Sequence, residues 1–337
     1  MGYWYNDDLG INNIIVSSRV RIARNLKRIP FPSLMKAEDR SKLNSSVKEA
    51  LMPSDIAGKY GLKYIEMCDV PETERKAMME RHTISYEFSQ KNDNSAIIIS
   101  NDEKISIMIG EEDHIRIQVI FSGADFESAY DIASGIDKLI CEKLDIAFNE
   151  RYGYLTECPT NLGTGLRVSA MMHLPILEAF GKIPYIQEWV NKLGFTIRGT
   201  YGEGSKADSS LYQISNQRTL GITEDDTVAG LKGIAEKLSK QELDLRNGLD
   251  RQKLEDDCFR ALYTLKGARI ISSKEMMELL SKTMIGISVG IIDEKILNPV
   301  SILINCQPYM LISRYGMKDT TERDSQRGNS IRESILL

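Results

Sequence analysis

Apolar and polar residues alternate along residues 14–22, so Arg19 and Arg21 project from one face of an extended strand. The pattern recurs over 112–121. There Glu112, His114, Arg116 and Gln118 share one side, and Ile115, Ile117 and Val119 the other. Such strands require a sheet with one buried face and one polar, functional face. Residues 95–100 and 105–109, joined by the turn Asn101-Asp102-Glu103-Lys104, predict a hairpin. Segments 165–174, 195–198 and 211–216 read as further strands. Helices are expected over 37–51, 72–82 and 125–144, and from the capping sequence Thr223-Glu224-Asp225-Asp226 to about Lys240. Hairpin-joined strands with separate helices predict an α+β fold with a mainly antiparallel sheet flanked by helices. From about Leu243 the period-2 runs give way to helical segments such as 256–266 and 273–283. A boundary near Gly248 would divide a domain of residues 1–248 from a helical C-terminal domain of residues 249–337.

The chain's 337 residues suffice for two such domains. A net charge of -5 argues against a nucleic-acid partner, so any anion site must be a local cluster of arginines. The cysteines at 68, 141, 158, 258 and 306 form no C-x-x-C and no disulfide-like spacing, which favours a reducing cytosol. MGYWYNDDLG lacks the basic start and apolar core of a signal peptide, and no apolar run is long enough to span a bilayer. These readings predict a cytoplasmic chain without a membrane anchor. His82, His114 and His173 are too few and too scattered for a metal site, so no protein-held metal is expected.

The chemistry-bearing candidates gather on and beside the strands. Arg19, Arg21, Arg116, Arg167 and Arg198 each fall on a predicted strand or its end. A guanidinium fork grips two phosphate oxygens and stays protonated, which suits the charge spread over a transferring phosphoryl group. Any one of them alone is as well explained by a surface ion pair. Glu112 and Glu203 stand in arginine-rich surroundings. Two carboxylates can fix a substrate guanidinium's plane, localise its charge and accept its proton; simple salt bridging is the alternative. Cys158 suits either a cation-stabilised thiolate or a small buried residue. P-loop and hydroxyl-directed protein-kinase motifs are absent.

Four blocks carry a resemblance: Ser17-Ser18-Arg19-Val20-Arg21, Glu111-Glu112-Asp113-His114-Ile115-Arg116, Cys158-Pro159-Thr160-Asn161-Leu162-Gly163-Thr164-Gly165-Leu166-Arg167 and Arg198-Gly199-Thr200-Tyr201-Gly202-Glu203. Together they resemble the ATP:guanido phosphotransferases over roughly residues 14–240. That resemblance implies ATP and Mg²⁺ as cofactors. It implies nucleotide contacts from Ser17, Ser18, Arg19, Val20, Arg21, His82, Arg116, Arg167, Val168, Ser169, Ala170, Met171, Arg198, Gly199, Thr200, Tyr201, Gly202 and Glu203. Glu112 and Glu203 would hold the guanidine, with Cys158 beside it. Small-molecule guanidino kinases carry a helical domain before the Ser-x-Arg-x-Arg strand, whereas here that strand begins at once. The chain in this respect resembles the bacterial protein-arginine kinase (McsB) family, whose acceptors are exposed arginines of proteins. Arg323-Asp324-Ser325-Gln326-Arg327 resembles that family's phosphoarginine pocket, with Arg323, Asp324 and Arg327 as ligands. Gly328 closes this loop motif where that family usually has Ala or Pro. The resemblance further implies a homodimer, an activator protein and delivery of marked substrates to a Clp unfoldase. A kinase for free arginine and a catalytically silent phosphoarginine adaptor are the competing expectations.

Overall fold

The computed structural model describes residues 2–7, 14–91, 94–199, 208–316 and 319–336. Its centre is an eight-stranded sheet of β1 (Ile15–Arg24), β2 (Lys63–Glu66), β3 (Ala96–Ile99), β4 (Ile105–Ile109), β5 (Ile115–Ser122), β6 (Leu166–His173), β7 (Phe195–Gly199) and β8 (Leu211–Asn216). The strand order is β2-β3-β4-β5-β1-β6-β8-β7, and every pairing is antiparallel. The hairpin, the antiparallel sheet and the helical C-terminal region all appear as the patterning predicts.

One face of the sheet is apolar. Val20 and Ile22 of β1, Ile115, Ile117 and Val119 of β5, and Leu166, Val168, Ala170 and Met172 of β6 are all completely buried on it. They pack with residues of the long helices later in the chain. The helices before the sheet's third strand are α1 (Ala37–Leu51), α2 (Asp55–Tyr60), α3 (Glu72–Glu80) and α4 (Tyr86–Ser89). Next come α5 (Phe126–Lys143), α6 (Pro175–Ala179), α7 (Ile183–Lys192) and α8 (Glu224–Asn247). Phe126, Ile136 and Ile140 of α5 and Leu231, Ile234 and Leu238 of α8 supply the other half of this core. Burying each such side chain contributes about 1.5–3 kcal/mol. The sheet also anchors α5 directly, because the hydroxyl of Ser18 accepts the N–H of its cap Asp125 at 3.1 Å.

The C-terminal helices are α9 (Arg251–Gly267), α10 (Ser273–Ser288), α11 (Pro299–Asn305), α12 (Pro308–Tyr315) and α13 (Thr320–Ser334). They enclose a second apolar cluster, including Leu262, Leu265, Leu280 and Ile331. They also cover one end of the sheet's other face, where Val16, Ile120 and Leu211 meet Met284, Val300 and Ile304. A buried polar junction fixes this docking. Arg246 donates to Glu242 at 2.8 Å, to the carbonyl of His173 at 2.8 Å and to Ser288 at 2.7 Å. No helix among the described residues is long and apolar enough to cross a membrane.

Several boundaries differ from the sequence pattern. The strand expected from Glu112 begins at Ile115, because Asp113 and His114 turn inward. Asn25 donates to Asp113 at 2.7 Å and accepts the His114 N–H at 2.8 Å, while the His114 ring accepts the Leu26 N–H at 2.9 Å. His114 is therefore a fully buried structural residue, and Gln118 is buried too, donating to the carbonyl of His82. The helix expected through His82 stops at Glu80, and His82 adopts a left-handed φ of 60°. The helix from Thr223 continues past Lys240 to Asn247. The loop expected around Arg323 and Gly328 is the middle of α13. There Gly328 lies so close to the preceding turn that an added Cβ would sit 2.7 Å from the carbonyl oxygen of Arg269.

Candidate active site

The uncovered part of the sheet's second face carries the arginines. In register, Arg21 stands opposite Arg167 on one side and Gln118 on the other, and Ala23 stands opposite Arg116. Period-2 alternation therefore sets Arg19 and Arg21 of β1, Arg116 of β5 and Arg167 of β6 on one surface. The Arg19 Nε lies 3.4 Å from Ser169 Oγ, and Arg167 Nη2 donates to Ser215 at 3.1 Å. Among the described residues, Arg19, Arg21 and Arg167 have no carboxylate partner. The Nε atoms of Arg21 and Arg167 are buried without any hydrogen bond.

This crowding has an electrostatic signature. Burial, then the charges of Arg167 and Arg116, push Arg19 down to about 10. Burial, then the charges of Arg19, Arg116 and Arg167, hold Arg21 well below the usual arginine range, although Glu111 partly offsets them. Arg167 is lowered by burial and by Arg198 and Arg116. Guanidiniums do not surrender their protons at neutral pH, so these shifts describe strained cations rather than neutral ones. A polyanion laid across them relieves that strain. His82, beside Arg19, is pushed down to about 4 by burial and that arginine, and so is neutral at physiological pH.

At one edge of this surface the chain turns through Glu111 and Glu112. Glu111 is the better held of the two, with its side chain only 2% exposed. One oxygen accepts from Arg116 Nη1 and from Ser85 Oγ, each at 2.6 Å, and the other accepts the Glu112 N–H at 2.8 Å. Glu112 accepts from Arg116 Nη2 at 3.0 Å and remains 40% exposed. Glu111 thus sets the position of both the cation and the open acid, a role that the alternating pattern conceals. Its only sequence signal is its place beside Glu112.

Cys158 caps a short 3-10 helix, Pro159–Asn161, with its sulfur 3.0 Å from the Thr160 hydroxyl. The turn that follows brings the chain against β1. Gly165 has a φ of 64°, and a Cβ there would lie 2.6 Å from the carbonyl oxygen of Ala23. Behind it, fully buried Arg24 donates to the carbonyl of Thr164 at 2.8 Å and to Asp137 at 2.7 Å. Arg24 is a further residue that the sequence pattern did not single out. Arg21, Arg116, Arg167, Glu112 and Cys158 then line one polar cavity of about 140 Å³. Cations that accommodate phosphate, an exposed carboxylate and a thiol are the parts needed to move a phosphoryl group onto a basic nitrogen.

The other expected site residues divide into groups. Ser17, Ser169 and Met171 lie in the same register rows as the arginines, with Met171 packed against the C-terminal helices. Arg198, on β7, is near enough to depress Arg167, and Gly199 ends that strand. Val20, Val168 and Ala170 point into the apolar core, and the hydroxyl of Ser18 is bound to α5, so these four offer no side chain to the cavity. Thr200, Tyr201, Gly202 and Glu203 lie outside the described residues. Among the described residues, the one group of potential metal ligands is Glu66, Cys68 and Asp69, exposed at the sheet's β2 edge.

The C-terminal motif forms a separate polar site. Arg327 is completely buried, donating to the carbonyls of Cys306 and Ile271 at 2.9 Å each and pairing with Asp324. Its Nη2 and the Nε of Arg323 are buried without partners. Glu80, at the end of α3, faces these arginines. Burial pushes it up to about 7 against the opposing effects of the Tyr309 and Met310 N–H groups and of Arg327 and Arg323.

Residues 42–245 match the family described as ATP:guanido phosphotransferase, C-terminal catalytic domain, and residues 251–336 match the protein-arginine kinase McsB C-terminal domain. A protein-arginine kinase of Halothermothrix orenii is 40% identical over 342 residues, covering 99% of this chain and 97% of that protein. Another, of Clostridium acetobutylicum, is 39% identical over 342 residues, covering 99% of this chain and 100% of that protein. Among solved structures, lombricine kinase matches with a TM-score of 0.61 and 25% identity over 74% of this chain and 71% of its own. The substrate-free duplicated taurocyamine kinase from Schistosoma mansoni matches with a TM-score of 0.62 and 25% identity, covering 82% of this chain but 41% of that one. With both of its regions matched and relatives of this identity along nearly its whole length, the chain belongs to the ATP:guanido phosphotransferase family and bears a C-terminal region of the McsB type.

Proposed function

We propose that the protein is an ATP- and Mg²⁺-dependent kinase that phosphorylates the guanidinium of arginine side chains in proteins. The observation that carries this reading is a single cavity in which Arg21 and Arg167, without a carboxylate partner among the described residues, meet Arg116, Glu112 and Cys158. Full-length relatives named protein-arginine kinases support the choice of acceptor.

Arg19, Arg21, Arg116, Arg167 and Arg198 bind the nucleotide phosphates and neutralise charge on the phosphoryl in flight. Neutral His82 contacts the nucleotide without adding a cation. Glu112, together with Glu203, orients the acceptor guanidinium. One guanidinium nitrogen attacks the γ-phosphorus as the bond to the β,γ-bridging oxygen breaks and ADP departs, and the nitrogen's proton passes to a carboxylate. Cys158, beside the acceptor, tunes its orientation. Mg²⁺ prefers oxygen ligands and keeps several waters. The nearby carboxylates Glu111 and Glu112 are both bound to Arg116, so the ion fits as one carried in on phosphate oxygens, whose charge it screens.

In the same reading, residues 1–248 are the catalytic domain and 249–337 a C-terminal domain in which Arg323, Asp324 and Arg327 bind phosphoarginine. The unpartnered nitrogens of Arg323 and Arg327 support that assignment. Family membership extends the proposal to a cytoplasmic homodimer acting in stress response and protein quality control, with an activator protein and a Clp unfoldase as partners. Incubation with Mg-ATP and an unfolded basic protein should yield acid-labile, nitrogen-linked phosphate that is lost in Glu112→Ala. Acid-stable phosphoserine would refute the assignment, and faster turnover of free arginine would move the acceptor to the small molecule.

A further inference from the structure

A second cavity, of about 480 Å³, backs onto the first and shares two of its walls, Glu112 and Cys158. None of Arg21, Arg116 and Arg167 lines it. Attack on a phosphoryl group is in line, with the acceptor on the side of phosphorus opposite the leaving oxygen. If the arginine-lined cavity holds the phosphates, the acceptor arrives through this outer one. Five charged residues line it besides Cys158 and the Pro32–Ser33 loop, and four of them are already engaged. Arg40 donates to the carbonyl of Pro32 at 3.1 Å, and Lys91 donates to the carbonyls of Gly110 and, at 2.7 Å, Glu111. Glu111 and Glu112 both hold Arg116. The fifth, Glu157, is different. Its backbone N–H is fixed by Asp113 at 2.8 Å, yet among the described residues its carboxylate accepts no hydrogen bond, and its Oε2 is buried without a partner.

Glu157 lines only the outer cavity, on the acceptor's side of Cys158 and away from the phosphate side. An anion in that place, held by its backbone and matched by no donor, is complementary to a second cation arriving with the acceptor. We infer that Glu157 is a specificity-determining residue that receives a basic side chain flanking the acceptor arginine. The inference rests on the kinase reading above and narrows its substrates to arginines with a basic neighbour in the polypeptide. Arg40 and Lys91 disfavour a basic group on their own wall, so the preference should be confined to one or two positions of the sequence.

The test uses the full-length protein with saturating Mg-ATP and peptides holding one acceptor arginine. A single lysine is moved through the three positions on either side, against a lysine-free control. The best lysine peptide should exceed the control about tenfold in kcat/KM, or about 1.4 kcal/mol. The gain should lie in KM, since a flanking contact is made equally in the ground and transition states. Glu157→Gln should bring that ratio close to one, and Glu157→Lys should make a glutamate peptide better than the lysine peptide. Equal ratios in the wild type and Glu157→Gln would overturn the inference, as would a wild type indifferent to lysine at all six positions. If the wild type phosphorylates no arginine in any peptide or protein, the kinase reading itself falls, which is a different failure.

Discussion

Replacing Glu111 by Gln tests whether that buried acid builds the site. The side chain keeps its shape but loses one acceptor oxygen and its charge. In the wild type three donors converge on the carboxylate, from Arg116, Ser85 and the Glu112 backbone. An amide has one oxygen, so its NH₂ must face either the Arg116 guanidinium or the Glu112 N–H. Losing a charge-assisted bond costs about 1.5–3 kcal/mol, and leaving a buried donor unmatched costs about 1–3 kcal/mol more. Much of that total can be escaped by letting Arg116 and Glu112 move, which transfers the cost to catalysis. We expect kcat/KM on a basic protein to fall by about 10²–10³-fold, equivalent to about 3–4 kcal/mol. About 1 kcal/mol left in stability would lower the thermal midpoint by roughly 2–4 °C. Glu111→Asp, which keeps the charge at a shorter reach, should lose less activity. Steady-state kinetics with unfolding curves on the same preparations decide the matter. Activity within threefold of wild type in Glu111→Gln, at an unchanged midpoint, would refute the claim that Glu111 positions Arg116 and Glu112.

Three other perturbations follow from the geometry. Arg21 is a desolvated cation among cations, so Arg21→Met should unfold at a higher temperature than wild type in the absence of nucleotide. Wild type should gain about 2.7 kcal/mol from ATP at a hundredfold excess over its Kd, and Arg21→Met much less; equal nucleotide-induced shifts in thermal unfolding would count against the arginine cage. Glu80 is held up at about 7 in the folded protein, against roughly 4.3 when unfolded. The folded state therefore keeps a proton that the unfolded state has released, and this contribution to stability, complete at low pH, is lost as pH rises through about 7. Glu80→Gln should match wild type near pH 4 and exceed it by about 3–4 kcal/mol at pH 8; a difference independent of pH in unfolding curves would contradict the burial argument. Gly328→Ala would set a methyl group 2.7 Å from the carbonyl oxygen of Arg269. That overpacking, about 1–3 kcal/mol, should outweigh a helix-propensity gain of about 1 kcal/mol and lower the denaturant midpoint. A raised midpoint would mean that α13 is not pressed against the turn at 268–269.

The sheet was legible because its two faces differ so sharply in chemistry. Val20 and Ile22 around Arg21, or Leu166 and Val168 around Arg167, admit only an alternating strand, and the register then aligns the arginines. What period two cannot show is where a strand gives way to a turn. Extending it through Glu112 placed His114 on the polar face. The Asn25 side chain instead draws Asp113 and His114 inward and leaves Glu111 as the buried acid. The reason lies in a residue 88 positions away, and local patterning carries no trace of it. The C-terminal motif illustrates the same limit. In sequence it reads as a loop motif, yet it lies in α13, where Arg327 is fully buried because the carbonyls of Ile271 and Cys306 converge on it.

The half-buried state of the arginines also has its origin in the tertiary fold. A cation on the open face of a sheet is normally bathed in water, and its pKa stays high. Here the C-terminal helices close one end of that face through Met284, Val300 and Ile304, while the Gly163–Gly165 turn and Cys158 rise beside the other. Water is thereby excluded from Arg21 and Arg167 more than from a free strand surface, and their mutual repulsion is correspondingly less screened. The free protein bears that strain because the apolar face beneath is so extensively packed that the strands cannot spread apart. A ligand with several negative charges turns the same strain into affinity. The strength of the proposed phosphate site is therefore a property of the whole sheet and its covering helices, and not of any arginine taken singly.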